Sequence, residues 1–287
     1  MRTFFLFHDD WTQWIKADIA ASRYPFDGFL VIRRTRPWWG KYLWKRAHRV
    51  GPAKVLNEVL YRLYYLIVHG VRDHVILKDF LKQQQLLISA GYKRPPVYRV
   101  EDINSDDSMS LLKNELKPDV CVLMVNVILK EKIFSIPPLG MLVFHPGVTP
   151  EYRGPHSAFW ATYNREFWGI GWSLLRVDAG IDTGEVLEQD TIPNVDPLTE
   201  THVVMQHKAH VHGIKTMTAT LEKLATGKFP TISQEGRKST NYTHPGFTDF
   251  LRYRKVLKQL RAGSSVARYW ALPFEIKRNY DDTPACR

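Results

Sequence analysis

Short apolar runs alternating with amphipathic stretches dominate the first half of the chain. Thr3–Phe7 and Gly28–Ile32 are continuous apolar runs of strand length, and Trp11–Ser22 between them has helical periodicity. Continuously apolar strands joined by a helix predict a parallel sheet covered on both faces. The turn after the first run, His8-Asp9-Asp10-Trp11-Thr12-Gln13, has no glycine, which excludes the glycine-rich dinucleotide fingerprint there. Val55, Leu56, Val59, Leu60, Leu63, Leu66 and Ile67 recur at helical spacing and place a helix within residues 33–95, read as a basic helical insertion. Val75–Ala90 reads as a further helix, Val97–Val100 as a strand and Asp107–Leu116 as a helix stopped by Pro118. Asp119–Val125 and Leu139–Phe144 are buried strands, the second ending at His145-Pro146. Beyond them the pattern predicts a helix over His156–Asn164, strands over Trp172–Val177 and Glu185–Gln189, and a long helix from Pro197 or Thr199 to about Thr226. The expected organisation is an α/β catalytic domain over 1–226 and a small mixed, partly helical extension over 227–287.

Composition narrows the class. The chain has 287 residues, 44% hydrophobic and 24% charged, which suits a globular protein with a sizeable core. Cys121 and Cys286 write neither a disulfide framework nor a zinc site and fit a reducing, cytoplasmic compartment. No secretory signal or membrane span is legible, because Val55–Val68 is interrupted by Asn57, Glu58 and Arg62. The net charge of +11 points to an anionic partner. Much of it lies in Arg33–Arg49, a basic run without acids and interleaved with Trp38, Trp39, Tyr42 and Trp44. That run is read as a grip on nucleotide-linked substrate or tRNA, as a contact with a membrane surface, or as a solvated loop. The oligomeric state is not legible.

The chemistry concentrates in His145-Pro-Gly-Val-Thr-Pro-Glu-Tyr-Arg-Gly-Pro155 and Arg176-Val-Asp-Ala-Gly-Ile-Asp-Thr-Gly184. Each follows a predicted buried strand, and in open parallel sheets ligand crevices form at strand C-terminal ends. A histidine on a rigid turn, oriented by an aspartate, is an electrostatic and proton-transfer catalyst. The bland reading makes His145 a histidine satisfied by backbone, and Asp178 and Asp182 turn formers. Asp182-Thr183-Gly184 also spells an aspartic-protease triplet, but Asp178-Ala-Gly is a poor second copy and that mechanism needs two. His202, His207, His210 and His212 share one predicted helix. Only His207 and His210 fall on one face, so solvated or amphipathic-helix histidines are expected rather than a metal site.

Taken together, Pro138-Leu139-Gly140, His145-Pro146, Pro150, Tyr152-Arg153-Gly154-Pro155 and Asp178-x-Gly180-x-Asp182-Thr183-Gly184 resemble the formyltransferase superfamily, from about Val97 to Gln189. Lys117-Pro118-Asp119-Val120, leading to Ile128-Leu129, is similar as well. The resemblance implies a Rossmann-like fold with 10-formyltetrahydrofolate as co-substrate and a primary amine as acceptor. It implies that His145 stabilises the oxyanion, with Asp182 tuning the ring and helping to take the amine's proton. Val125, Asn126, Val127 and Ile128, with Asp178 and Gly180, would wrap the pterin, and Arg153, Gly154 and His156 would meet substrate. The family's asparagine two residues before the histidine is Val143 here, and losing one oxyanion donor typically costs about 100–1000-fold in rate. Asn126 and His156 are the candidate replacements. The expected acceptor is an amino sugar or other small amine, since only about 60 residues follow Gly227. Methionyl-tRNA formylation is the alternative, followed by a formyltetrahydrofolate hydrolase and a non-catalytic binding protein of the same fold.

Overall fold

A computed structural model describes residues 1–33, 39–227, 229–263 and 278–281. Residues 34–38 of the basic run, and Cys286, lie outside the described residues. The first unit is β1 (Thr3–His8), α1 (Trp11–Ala21) and β2 (Gly28–Ile32). Asp10 caps α1 by accepting a hydrogen bond from Thr12 N at 3.0 Å, which is why the strand turns into a helix at His8-Asp9-Asp10. Three helices follow: α2 (Trp39–Val50), α3 (Pro52–Val68) and α4 (Gly70–Gln85). The chain then re-enters the sheet at β3 (Val97–Val100).

Beyond β3, α5 (Asp106–Ser110) widens into a π-helical turn over Leu111–Leu116 and stops at left-handed Lys117, ahead of Pro118. β4 (Val120–Met124), α6 (Glu131–Phe134) and β5 (Met141–His145) come next. After α7 (Ser157–Asn164) the chain forms β6 (Gly171–Arg176), β7 (Val186–Thr191) and the long α8 (His202–Ala225). β8 (Phe229–Ile232), α9 (Phe247–Gly263) and β9 (Arg278–Asp281) complete the described elements.

The sheet is nine-stranded, in the order β3-β2-β1-β4-β5-β6-β7-β8-β9. Strands β3 to β5 are mutually parallel, and each of β6 to β9 pairs antiparallel with its neighbour. Alternate residues of the parallel strands supply two cores. Phe5, Phe7, Phe29, Val31, Leu142 and Phe144 share one with side chains of α1 and α8. Phe4, Leu6, Leu30, Cys121, Leu123 and Met141 share the other with Ile103, Leu112, Leu116 and Ile133. A Cβ on Gly213 of α8 would lie 2.7 Å from the Trp172 ring, so a glycine there lets the helix lie close on the sheet. No helix among the described residues is long and apolar enough to cross a membrane.

Candidate functional site

Strand order reverses between β1 and β4, because β2 and β3 extend the sheet one way and β5 the other. That switch point is where an open α/β sheet leaves a crevice. A cleft of about 1210 Å³ lies there, lined by His8, Asp10 and Lys16 from β1 and α1, by Met124 and Asn126 after β4, and by His207 and His210 of α8. Tyr42 and Arg62 of the insertion form part of its wall.

His145, within electrostatic reach of His210, which lines the cleft, ends β5 and is 5% exposed. Its Nδ1 lies 3.3 Å from Asp182 Oδ2, and its Nε2 lies 2.6 Å from the Tyr152 carbonyl and 3.2 Å from Ser157 Oγ. The route by which Asp182 arrives differs from the strand-end expectation. Because β6 runs antiparallel to β5, Arg176 at its end pairs with Leu142, not with His145. The connection from Val177 to Glu185 folds back to carry Asp182 to the histidine. Asp182 adopts φ +51°, tolerable for aspartate, and its Oδ2 also accepts from Gly154 N at 3.0 Å. Gly154 itself has φ +83°, and a Cβ there would lie 2.4 Å from the Tyr242 carbonyl. A glycine is therefore required where this amide reaches the carboxylate.

The loop carrying Tyr152 is held from the C-terminal side. Arg237 Nε and Nη2 donate to the Glu151 carboxylate at 2.9 and 2.7 Å, and Nη2 also donates to the Thr149 carbonyl at 2.6 Å. Arg153 N donates to the Thr240 carbonyl, and Tyr242 N donates to the Arg153 carbonyl. Residues 237–242, assigned from the sequence to a separate extension, thus form part of the support for His145. Arg237 carries no motif that reading the sequence could have used.

The other anticipated residues separate into groups. Asp178 is occupied within its own loop, accepting from Gly180 N at 3.0 Å and from Thr183 Oγ1 at 2.7 Å. Val125, Asn126, Val127 and Ile128 form the loop after β4. Asn126 and Val127 face the cleft, and Asn126 N donates to His8 Nε2 at 3.4 Å. Ile128 is 71% exposed. His156 points elsewhere: its Nε2 is 3.2 Å from His244 Nδ1, and its ring borders an apolar cavity beneath α2 and α3. Burial first, then His244 and Arg62, pull the His156 imidazole down to about 4. Arg153 keeps a buried Nε with no hydrogen-bond partner. Val143 packs against Leu175, Val186 and Ile232, so its surroundings are apolar.

Lys16, His207 and His210 were not singled out together from the sequence. Lys16 is 2% exposed, and its Nζ lies 3.4 Å from His210 Nδ1. Burial pulls the Lys16 ammonium down to about 7, with Asp10 opposing the shift. Burial likewise lowers His207 and His210 well below the usual imidazole value, Lys16 adding to both and the nearby His145 adding to His210. Both histidines are part-buried and line the cleft, which fits the amphipathic-helix expectation and not the solvated one. Their signal in the sequence was the i, i+3 spacing; nothing in Ile15-Lys16-Ala17 announced a buried lysine.

Residues 80–221 match the model of the formyl transferase family. A methionyl-tRNA formyltransferase of Methylacidiphilum infernorum is 32% identical over 139 residues, 48% of this chain and 42% of that protein. One from a Nostoc species is 34% identical over 147 residues, 50% of this chain and 42% of the relative. The chain thus covers less than half the length of these curated relatives. Among solved structures, a 4-N formyltransferase from Francisella tularensis superposes with a TM-score of 0.51 at 13% identity, covering 89% of this chain and 87% of that one. A sugar N-formyltransferase from a Shewanella species gives 0.50 at 14% identity, covering 90% and 87%. These two likenesses concern the fold, and they agree with the segment matched in sequence, which holds both His145 and Asp182. The sequence match places residues 80–221 of this chain in the formyltransferase superfamily.

Proposed function

We propose that this protein transfers a formyl group from 10-formyltetrahydrofolate to the amine of a small anionic acceptor, a nucleotide-linked amino sugar being the class that fits best. The observation that carries the reading is the buried His145–Asp182 pair, within electrostatic reach of His210, which lines the cleft together with Lys16 and His207. The folate supplies the activated formyl carbon when bound. Val125 and Val127 offer apolar sides, and the backbone leaves the sheet after Met124, which suits a flat hydrogen-bonding heterocycle. His145 would face the charge developing on the formyl oxygen, with Asp182 holding its Nδ1 side, and the pair would take the amine's proton. His145 Nε2 reaches substrate by exchanging the Tyr152 carbonyl for it.

The cleft supports this acceptor class. Its volume suits a ligand of nucleotide-sugar size, and a lysine beside neutral histidines offers several donors to a phosphate or carboxylate. Formylation of methionyl-tRNA is the second reading, favoured by the names of the curated relatives. Incubation with 10-formyltetrahydrofolate and either nucleotide-linked amino sugars or aminoacylated initiator tRNA separates the two. Formylated sugar supports the first reading, product from tRNA alone replaces it with the second, and formate without amine product makes the protein a hydrolase.

A further inference from the structure

α3 is apolar on two sides. One side is consumed inside the protein: Val55 and Tyr61 are buried, and Tyr61 packs with Phe159 and Phe250. The other side bears Leu56, Leu60, Leu63 and Ile67 at i, i+4, i+7 and i+11, a single stripe on a helix. These four are 59%, 48%, 52% and 81% exposed, and Val71 just after the turn into α4 is 78% exposed. No charged or polar residue interrupts the stripe. Nothing among the described residues packs over it, and the helix cannot rotate to hide it. Arg46 of α2 forms a buried two-pronged ion pair with Glu58 at 2.6 and 2.8 Å, and Asn57 bonds Thr248 of α9 at 3.0 Å. The orientation of α3 is locked with its oily side outward.

The exposed charge of α2 to α4 is mostly of one sign. Lys45, Arg49, Arg72, Lys78 and Lys82 are exposed, whereas Asp79 is the exposed acid among the described residues of these helices; Lys54 turns to Thr243 and Arg62 to the cleft, away from the stripe. Trp44, 62% exposed on α2, adds an aromatic of the kind that settles at a headgroup boundary. We propose that α2 to α4 dock this protein on an anionic lipid bilayer, with the α3 stripe entering the headgroup–acyl boundary and the flanking cations meeting the phosphodiesters. A second copy fits less well, because joining two such faces brings cationic rims together around the apolar contact.

The test is co-sedimentation of the full chain with phosphatidylcholine vesicles and with vesicles that also contain phosphatidylglycerol. The proposal expects binding to the phosphatidylglycerol vesicles at least about tenfold tighter than to phosphatidylcholine, and weakened by salt. Leu60→Glu with Ile67→Glu should reduce that binding by about tenfold or more while leaving Tm unchanged, because both side chains already face solvent. Lys45→Gln with Arg49→Gln should narrow the preference for anionic lipid without abolishing the apolar contribution. Absence of binding to anionic vesicles overturns the proposal, as does equal binding by the double-glutamate variant. Sedimentation showing a dimer that the same double-glutamate variant dissociates would assign the stripe to a second copy instead.

Discussion

The cleft and the α3 face break the usual partition of polar and apolar residues in opposite senses. Around the cleft, ionisable groups are taken out of water: His145 is 5% exposed and Lys16 2%. On α3, leucines and an isoleucine stand in water. Each departure costs stability, since a buried ammonium loses hydration and an exposed apolar stripe buries nothing. The cleft's cost is partly offset in place, because His145 faces a carboxylate and a carbonyl, and Lys16 faces His210. The α3 face has no offset among the described residues. A region that satisfies its buried polar groups internally is organised for chemistry, whereas one that leaves apolar groups unsatisfied is organised for contact.

The comparison can be broken most forcefully at its polar end. His145→Ala should lower formyl transfer by about 1000-fold or more while leaving Tm within a few degrees. Unchanged turnover would remove His145 from the chemistry. Asp182→Asn should cost about 100-fold, since the amide keeps the shape but not the charge, and Gly154 N retains an acceptor. An unaltered pH–rate profile in that variant would mean that the carboxylate acts only as a spacer.

Lys16 tests whether buried charge serves binding. Its folded pKa of about 7 lies below the unfolded value, so the native state carries the penalty of a buried charge below pH 7. The penalty fades as pH rises from about 7 toward the unfolded pKa, because the unfolded chain then holds the extra proton. Lys16→Met should therefore raise Tm most below pH 7, with the gain shrinking at higher pH. The same variant should raise KM for an anionic acceptor about tenfold at pH 6.5 or so, and should lack the rise in KM expected of the native protein above pH 7. A KM indifferent to the substitution would separate the lysine from acceptor binding. The smallest effect is expected at Val143. Val143→Asn buries an amide among Leu175, Val186 and Ile232, should cost about 1–3 kcal/mol of stability, and should change turnover by no more than about threefold. A large gain in turnover would show that the asparagine position is otherwise intact.

Much of the frame was legible because it follows hydrophobic period. The strands at Thr3–His8, Gly28–Ile32, Val120–Met124 and Met141–His145 coincide with continuous apolar runs, and the Val55–Ile67 periodicity is α3. Where tertiary contacts decide, the pattern is silent. The long helix starts at His202, later than Pro197 or Thr199, because Thr201 caps it through Val204 N while Asp196 holds a turn through Leu198 N. The helix read as Val75–Ala90 spans Gly70–Gln85, since the chain turns from α3 into α4 at His69 without a capping side chain. α2 went unread as a helix, its tryptophans and arginines suggesting a loop or a binding run as readily. At the site, His145 and Asp182 were legible from motif spacing, whereas the fold-back that joins them depends on the antiparallel pairing of β6. Tyr152's carbonyl, Arg237 and Lys16 were invisible because a carbonyl has no sequence signature and the other two act through distant partners.

The most direct test of the central claim is a single-turnover experiment with formyl-labelled 10-formyltetrahydrofolate and an anionic amino-sugar acceptor, comparing the native protein with His145→Ala. The account predicts label in the amine product with native protein and at least about 1000-fold slower appearance with the variant. Equal rates of label transfer in the two would contradict it.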